Sequence, residues 1–115
     1  MAKYMVLYSS SVSAQEQMAS ADPEQAQAGM ELWMNWAGRV GGAMADMGSP
    51  LATVAVVDQT GSGSGSTGGR FIGGFSILEA DSVDAVKGLL ADHPHFQAPG
   101  DPSIEVLEFL PIPGM

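Results

Sequence analysis

The sequence contains no cysteine. This absence excludes disulfide bonds, thiolate metal ligands and a cysteine nucleophile together. Basic residues are also scarce, since the 115 residues include four Lys and Arg against 13 Asp and Glu, for a net charge of −9. Four scattered cations cannot form the kind of surface that binds nucleic acid or an anionic membrane, so we expect neither partner.

Long apolar runs are missing as well. The N-terminal run at residues 4–8 is too short for the apolar region of a signal peptide, and no window approaches the ~18 apolar residues of a membrane span. Hydrophobic residues make up 45% and charged residues 15% of the chain, which is typical of a globular protein. We therefore expect a cytoplasmic protein with a single domain over residues 1–115.

Periodicity and turn residues predict four strands and two helices in the order βαββαβ. The predicted strands are residues 3–9, 51–57, 71–78 and 103–110. The first predicted helix follows Asp22-Pro23 and ends near Gly41. The second follows Asp81 or Ser82 and ends at His93-Pro94. Gly73-Gly74 indicates either a bulge or a close backbone approach in the third strand. Right-handed crossovers then give a ferredoxin-like α+β fold with strand order 4-1-3-2.

Both faces of the predicted sheet are apolar. The first strand separates Met5 and Leu7 from Tyr4, Val6 and Tyr8, and the third separates Phe71, Phe75 and Ile77 from Ile72 and Leu78. Two helices can cover only one face, so the other face needs a partner, of which the simplest is a second copy of the chain. We expect a homodimer that pairs sheet to sheet, although scattered surface apolar residues are a common alternative.

The glycine- and serine-rich segment at residues 58–69 formally matches a G-x-G-x-x-G motif at Gly63, Gly65 and Gly68. A dinucleotide site requires a helix after the motif, whereas here a strand follows. The composition instead favours a flexible hairpin loop.

Both histidines lie in Asp92-His93-Pro94-His95. With Asp101 or Glu105 they could in principle bind a divalent metal, but H-x-H is not a specific ligand spacing and there is no third histidine. We therefore expect no metal and no other cofactor.

The first helix carries a soft, aromatic stripe of Met30, Trp33, Met34 and Trp36. Core packing against the sheet is the favoured interpretation. Such residues can equally line a cavity for an apolar or aromatic ligand. In that case Met30, Trp33, Met34 and His95 are the expected binding residues.

Several segments, spread over nearly the whole chain apart from the glycine- and serine-rich loop, resemble the YCII-related domain family. They are Lys-Tyr-Met-Val-Leu-Tyr at residues 3–8, Gly-Met-Glu-Leu-Trp at 29–33, Gly-Ser-Pro-Leu at 48–51, Gly-Gly-Phe-Ser-Ile at 73–77, His-Pro-His-Phe at 93–96, Ser-Ile-Glu-Val at 103–106 and Pro-Ile-Pro-Gly at 111–114. The resemblance implies a dimeric α+β barrel, in which two ferredoxin-like sheets pack face to face.

In part of that family, a histidine of the first helix and an aspartate before a proline form an acid–base pair. Aligned on Gly48 and Pro94, this sequence has Glu31 at the histidine position and His93 at the aspartate position. The resemblance thus implies Glu31 and His93 as the catalytic pair, in which the carboxylate would raise the pKa of His93 and make it a proton donor. The alternative is that Glu31 is solvated and His93 caps the preceding helix.

Three functions stay open at this point. The chain is expected to be a cofactor-independent acid–base enzyme acting on a small lactone or aromatic acid, or a non-catalytic small-molecule-binding or sensory homodimer. The third is a dimer in which the space between helix and sheet is filled only by packing.

Overall fold

Four strands form one antiparallel sheet, and the computed structural model describes residues 2–57, 59, 61 and 69–114 of the chain. The strands are β1 Ala2–Ser10, β2 Met44–Asp46, β3 Phe71–Ala80 and β4 Ser103–Glu108, in the order β2-β3-β1-β4. This is the predicted order 4-1-3-2 read from the opposite edge, so the ferredoxin-like topology is confirmed.

Three helices pack on this sheet: α1 Ala14–Ser20, α2 Pro23–Val40 and α3 Val83–Leu90, with short 3₁₀-helices at Gly41–Ala43 and Pro94–Gln97. Helix α2 begins as predicted at Pro23, because Asp22 before it and Gln25 after it form a capping box. Helix α1 was not predicted, although Ser13 caps it through the N–H of Glu16.

The core lies between the helices and one face of the sheet. Its buried members are Tyr4, Val6, Tyr8, Trp36, Val40, Leu78, Ala80, Val86 and Leu90. Trp36 also joins the two long helices, since its indole N–H donates to the carbonyl oxygen of Leu89 at 2.8 Å. The predicted division of β1 is confirmed, because Tyr4, Val6 and Tyr8 are 5%, 0% and 2% exposed.

The predicted second strand is wrong. Residues 51–57 are not a strand, and Val54 in this segment is 92% exposed. The strand is instead Met44–Asp46, which pairs with Leu78 and Ile77. Its continuation contacts β3 through an isolated bridge from Pro50 to Gly74, where the N–H of Leu51 donates to the carbonyl oxygen of Gly73 and the N–H of Phe75 donates to that of Ser49. The β-branched residues of this segment indicated a strand, but within it the structure assigns only a single bridge, at Val56.

The predicted bulge in β3 is confirmed, and it changes the faces of two residues. The register shifts between Tyr8 and Ser9, so that Ile72 lies opposite Ser9 and Phe71 lies opposite the buried Ser10. Cross-strand partners share a face. Phe71 therefore belongs to the helix-covered face, and its predicted grouping with Phe75 and Ile77 is wrong.

The predicted flexible loop at residues 58–69 lies mostly outside the described residues. Within residues 2–57 and 69–114, no helix is both long enough and apolar enough to cross a membrane.

Candidate functional site

A cleft of about 830 Å³ opens between the helices and the sheet. Its walls come from α1, the first half of α2, the segment 47–50, the bulged part of β3 and the segment 94–99. Ligand sites commonly have this size and this position beside a sheet. The space predicted from the soft stripe on α2 is therefore a real cavity and not only packed core.

Gly48 fixes the wall on the β3 side. Its φ is +81°, and a Cβ at this position would come within 1.6 Å of the carbonyl oxygen of Phe75. The close approach lets the N–H of Phe75 donate to Ser49 and the N–H of Leu51 donate to Gly73. Only glycine allows both the left-handed backbone and the contact, so this residue holds the segment 47–51 against the strand.

The cleft wall is mainly apolar and uncharged. Met18, Met30 and Met47 line it together with Trp33. None of the described lining residues is Asp, Glu, Lys or Arg. In a chain with 13 acidic residues, this wall is chemically distinct from the rest of the surface.

His95 provides a fixed imidazole at this wall. It is 8% exposed, and its Nε2 lies 2.9 Å from the carbonyl oxygen of Ser9 and 3.1 Å from that of Ser103. Both partners can only accept, so Nε2 carries a proton and donates it to them. Among the described residues Nδ1 makes no hydrogen bond, so this nitrogen has no partner within that part of the chain.

His93 has a different environment and is only 1% exposed. Its ring stacks on Tyr8 with centroids 4.8 Å apart, and it meets Trp33 at 4.6 Å and Trp36 at 4.2 Å in edge-type contacts. Its Nδ1 accepts a 2.9 Å hydrogen bond from the backbone N–H of His95. The proton of a neutral ring must then be on Nε2, which has no conventional partner among the described residues. The neighbouring indole faces are weak acceptors for such an N–H.

This environment keeps His93 neutral. Burial, followed by the charges of His95 and Arg39, lowers the pKa of His93 from 6.5 to about 3. The predicted rise in this pKa is therefore wrong. The predicted cap is also placed differently, because His93 caps the 3₁₀-helix that follows it and not the helix that precedes it.

Tyr8 forms the floor of the cleft and starts a short chain of hydroxyl groups. Its OH lies 2.8 Å from Oγ of Ser76, which lies 2.9 Å from the carbonyl oxygen of Met47. Burial, partly offset by the hydrogen bond to Ser76, raises the pKa of Tyr8 to about 12. The phenol is therefore protonated at neutral pH.

The structure brings some of the predicted site residues together and not others. Met30, Trp33 and His95 line the cleft, whereas Met34, Glu31 and His93 are not among its lining residues. Glu31 is exposed, and no hydrogen bond joins it to His93 in the described part of the chain. Met30 is 60% and Met34 is 53% exposed, so neither belongs to the core.

Tyr8 and Gln17 line the cleft but were missed by sequence reasoning, as was Ser76, which does not line the cleft but accepts the hydrogen bond of Tyr8. Tyr8 was assigned only to the core, because alternation in a strand gives a face but not a neighbouring cavity. Gln17 belongs to α1, whose start was signalled by the spacing of Ser13 and Glu16. Over residues 2–57 and 69–114, no three His, Asp or Glu side chains converge as a metal site would require.

Comparison with known proteins identifies the fold. No family model matches the sequence, and no curated protein matches it. A solved structure that is similar is the 5-chloro-2-hydroxyhydroquinone dehydrochlorinase of Burkholderia phenoliruptrix AC1100, in complex with 2,5-dihydroxybenzoquinone. The match has a TM-score of 0.50 and 15% identity, and it covers 94% of this chain and 93% of that one. At this identity the likeness shows the fold alone, an α+β fold with a four-stranded antiparallel sheet. Membership of the YCII-related family stays a prediction.

Proposed function

We propose that the protein is a cofactor-independent acid–base enzyme, and that it binds a small ring metabolite in the cleft. The observation that carries this proposal is the state of His95, whose Nε2–H is held by two carbonyl groups while Nδ1 is left for a ligand. An orienting partner on one imidazole nitrogen is how a histidine is positioned for proton transfer at the other.

His95 can accept a proton without losing its place. When a substrate O–H or C–H gives its proton to Nδ1, the ring becomes an imidazolium, and the carbonyl groups of Ser9 and Ser103 still accept from Nε2. The same proton can then return to another atom of the substrate, so that the step isomerises the ring compound with no net change in protons. No electron acceptor is needed for such a reaction.

The shape and lining of the cleft support a ring-shaped ligand. Trp33 and Tyr8 provide aromatic surface, and methionines provide adaptable apolar surface around it. The similar dehydrochlorinase acts on a substituted hydroquinone and holds a dihydroxybenzoquinone, which agrees with a small ring substrate here. The lactone and aromatic-acid classes predicted from the sequence are both small enough for this volume.

The proposal includes a homodimer formed through the open face of the sheet. Met5 lies opposite Ile77 and Leu107, and Leu7 lies opposite Phe75, on the face away from the core. The described chain is only 19 Å deep along its shortest axis, which is the depth of one sheet and one helix layer. A second copy would cover these five apolar side chains.

Deuterium exchange tests the catalytic part. We expect the wild-type protein to accelerate incorporation of solvent deuterium into a carbon position of an unsaturated lactone or a dihydroxybenzene, followed by NMR. The His95→Gln variant should lose this acceleration by about 100-fold or more, since proton transfer by a positioned side chain typically contributes 10²–10⁴-fold. Met34→Leu is the matched control, because Met34 lies on the same helix as the cleft residues but does not line the cleft.

The same assay separates the alternatives. Acceleration that survives in His95→Gln but is lost in Glu31→Gln and His93→Asn would favour the pair predicted from the family resemblance. Ligand binding without exchange in the wild-type protein would favour the non-catalytic binding or sensory homodimer.

A further inference from the structure

The polar side chains around the cleft already use their hydrogen-bond donors on other protein atoms. The hydroxyl of Ser76 donates a hydrogen bond to the carbonyl oxygen of Met47, which can only accept. The OH of Tyr8 must therefore be the donor in its contact with Ser76. The oxygen of Tyr8 keeps its remaining acceptor capacity, but it has no proton left to donate.

Three further lining residues follow the same pattern. Nε2 of Gln17 donates to the carbonyl oxygen of Val12 at 2.9 Å, which fixes the orientation of the amide and leaves Oε1 as an acceptor. The hydroxyl of Ser20 donates to the carbonyl oxygen of Gln17, and the hydroxyl of Ser49 donates to that of Pro50. Each of these oxygens can still accept a hydrogen bond from a ligand.

The cleft therefore offers acceptors. They are Oη of Tyr8, Oε1 of Gln17, Oγ of Ser20, Oγ of Ser49 and Nδ1 of His95. Side-chain amide donors are left on Gln25 and Gln97, which are both exposed. With no charged residue among the described lining residues and a net charge of −9, nothing in this wall compensates an anion.

We infer that the ligand is an uncharged aromatic ring bearing at least two hydroxyl groups, an inference that rests on the proposed ring-binding cleft. Hydroxyl groups supply the donors that pair with these acceptors, and an aromatic ring fits beside Trp33 and Tyr8. A lactone has no donor to offer, and a carboxylate is both anionic and an acceptor. Both substrate classes predicted from the sequence, the small lactone and the aromatic acid, are therefore disfavoured.

Matched probes test this directly. Catechol, 1,2-dimethoxybenzene and benzoate are titrated into protein labelled with ¹³C at the methionine methyl groups, and dissociation constants are obtained from the NMR shifts. Met18, Met30 and Met47 line the cleft and report on it, whereas Met34 and Met5 do not line it and serve as internal controls. We expect catechol to bind about tenfold or more tightly than 1,2-dimethoxybenzene, as the loss of two paired donors implies, and benzoate to bind more weakly than catechol.

A pair of tyrosine variants adds a structural control. Tyr8→Phe keeps the ring and removes one acceptor, so it should weaken catechol binding by about three- to tenfold and leave 1,2-dimethoxybenzene unchanged. Tyr4→Phe should change neither, because Tyr4 is buried outside the cleft.

The outcomes are distinct. Equal or tighter binding of 1,2-dimethoxybenzene or benzoate at the cleft methionines would overturn the inference and leave the ring-binding function standing. No shift at Met18, Met30 or Met47 with any ring would overturn both. Shifts only at Met34 or Met5 would place the binding elsewhere and also overturn both.

Discussion

The backbone N–H of His95 donates a 2.9 Å hydrogen bond to Nδ1 of His93. This contact links a buried, aromatic-packed histidine to the one that faces the cleft. A protonated His93 could not accept this bond, because both of its nitrogens would then be donors. The neutral form of His93 is therefore part of what holds residue 95 in place.

Two substitutions at His93 test this linkage. Asn is a good cap and can accept from the N–H of His95, whereas Leu cannot. We expect urea unfolding to show His93→Leu less stable than His93→Asn by about 1–3 kcal/mol, the cost of leaving a buried donor unpaired. Equal stabilities for the two variants would show that the cap contributes nothing.

The lowered pKa of His93 predicts a pH dependence of stability. Between about pH 3 and 6.5, the unfolded chain binds a proton at this residue that the folded chain does not bind. The contribution of His93 to the free energy of unfolding is complete above its unfolded pKa of 6.5. It decreases as the pH falls toward the folded pKa of about 3, by up to about 1.4 kcal/mol per pH unit.

The measurement compares wild type with His93→Asn between about pH 6.5 and 5, where most carboxylates in the unfolded chain are still ionised. The wild-type free energy of unfolding should fall more steeply with decreasing pH than that of the variant. Parallel slopes would contradict a neutral, buried His93.

Gly48 is expected to tolerate no side chain. Gly48→Ala combines a φ of +81° with a Cβ that meets the carbonyl oxygen of Phe75, so the segment 47–51 must move away from β3. We expect a loss of at least about 3 kcal/mol in the free energy of unfolding. The control is Gly42→Ala, where nothing lies within 4 Å of the added Cβ and φ is not positive. A Gly48→Ala protein as stable as Gly42→Ala would show that the segment 47–51 can move away from β3 without loss of stability.

Much of the fold could be predicted from the sequence, because strong local signals agreed with it. The cap at Asp22, the bulge at Gly73-Gly74 and the alternation in β1 each have a cause within a few residues. The second strand could not be placed in this way. It pairs with Leu78 and Ile77, and the segment after it lies close to β3 at Gly48 and Phe75, so both contacts join parts of the chain that are far apart in sequence.

The site was predicted less well than the fold, for a physical reason. Burial and hydrogen bonding decide what a histidine can do, and neither can be read from the sequence around His93-Pro94-His95. One of these two histidines is enclosed by Tyr8, Trp33 and Trp36, and the other reaches across to the carbonyl groups of Ser9 and Ser103. The family resemblance favoured the first of them for catalysis, whereas our proposal assigns proton transfer to the second.

The open face of the sheet gives the last prediction. Leu7 lies in the middle of β1 on this face, opposite Phe75 on one side and Glu105 on the other. In the Leu7→Glu variant, a second sheet packed here would have to bury a second carboxylate directly beside that of Glu105, which is strongly disfavoured. We expect Leu7→Glu to sediment as a folded monomer at micromolar concentration, while the wild-type protein sediments as a dimer. Met34→Glu introduces the same charge on the helix layer, where Met34 is already 53% exposed, and should remain dimeric. A wild-type protein that is monomeric at this concentration, or a Leu7→Glu protein that is dimeric, would refute pairing through this face.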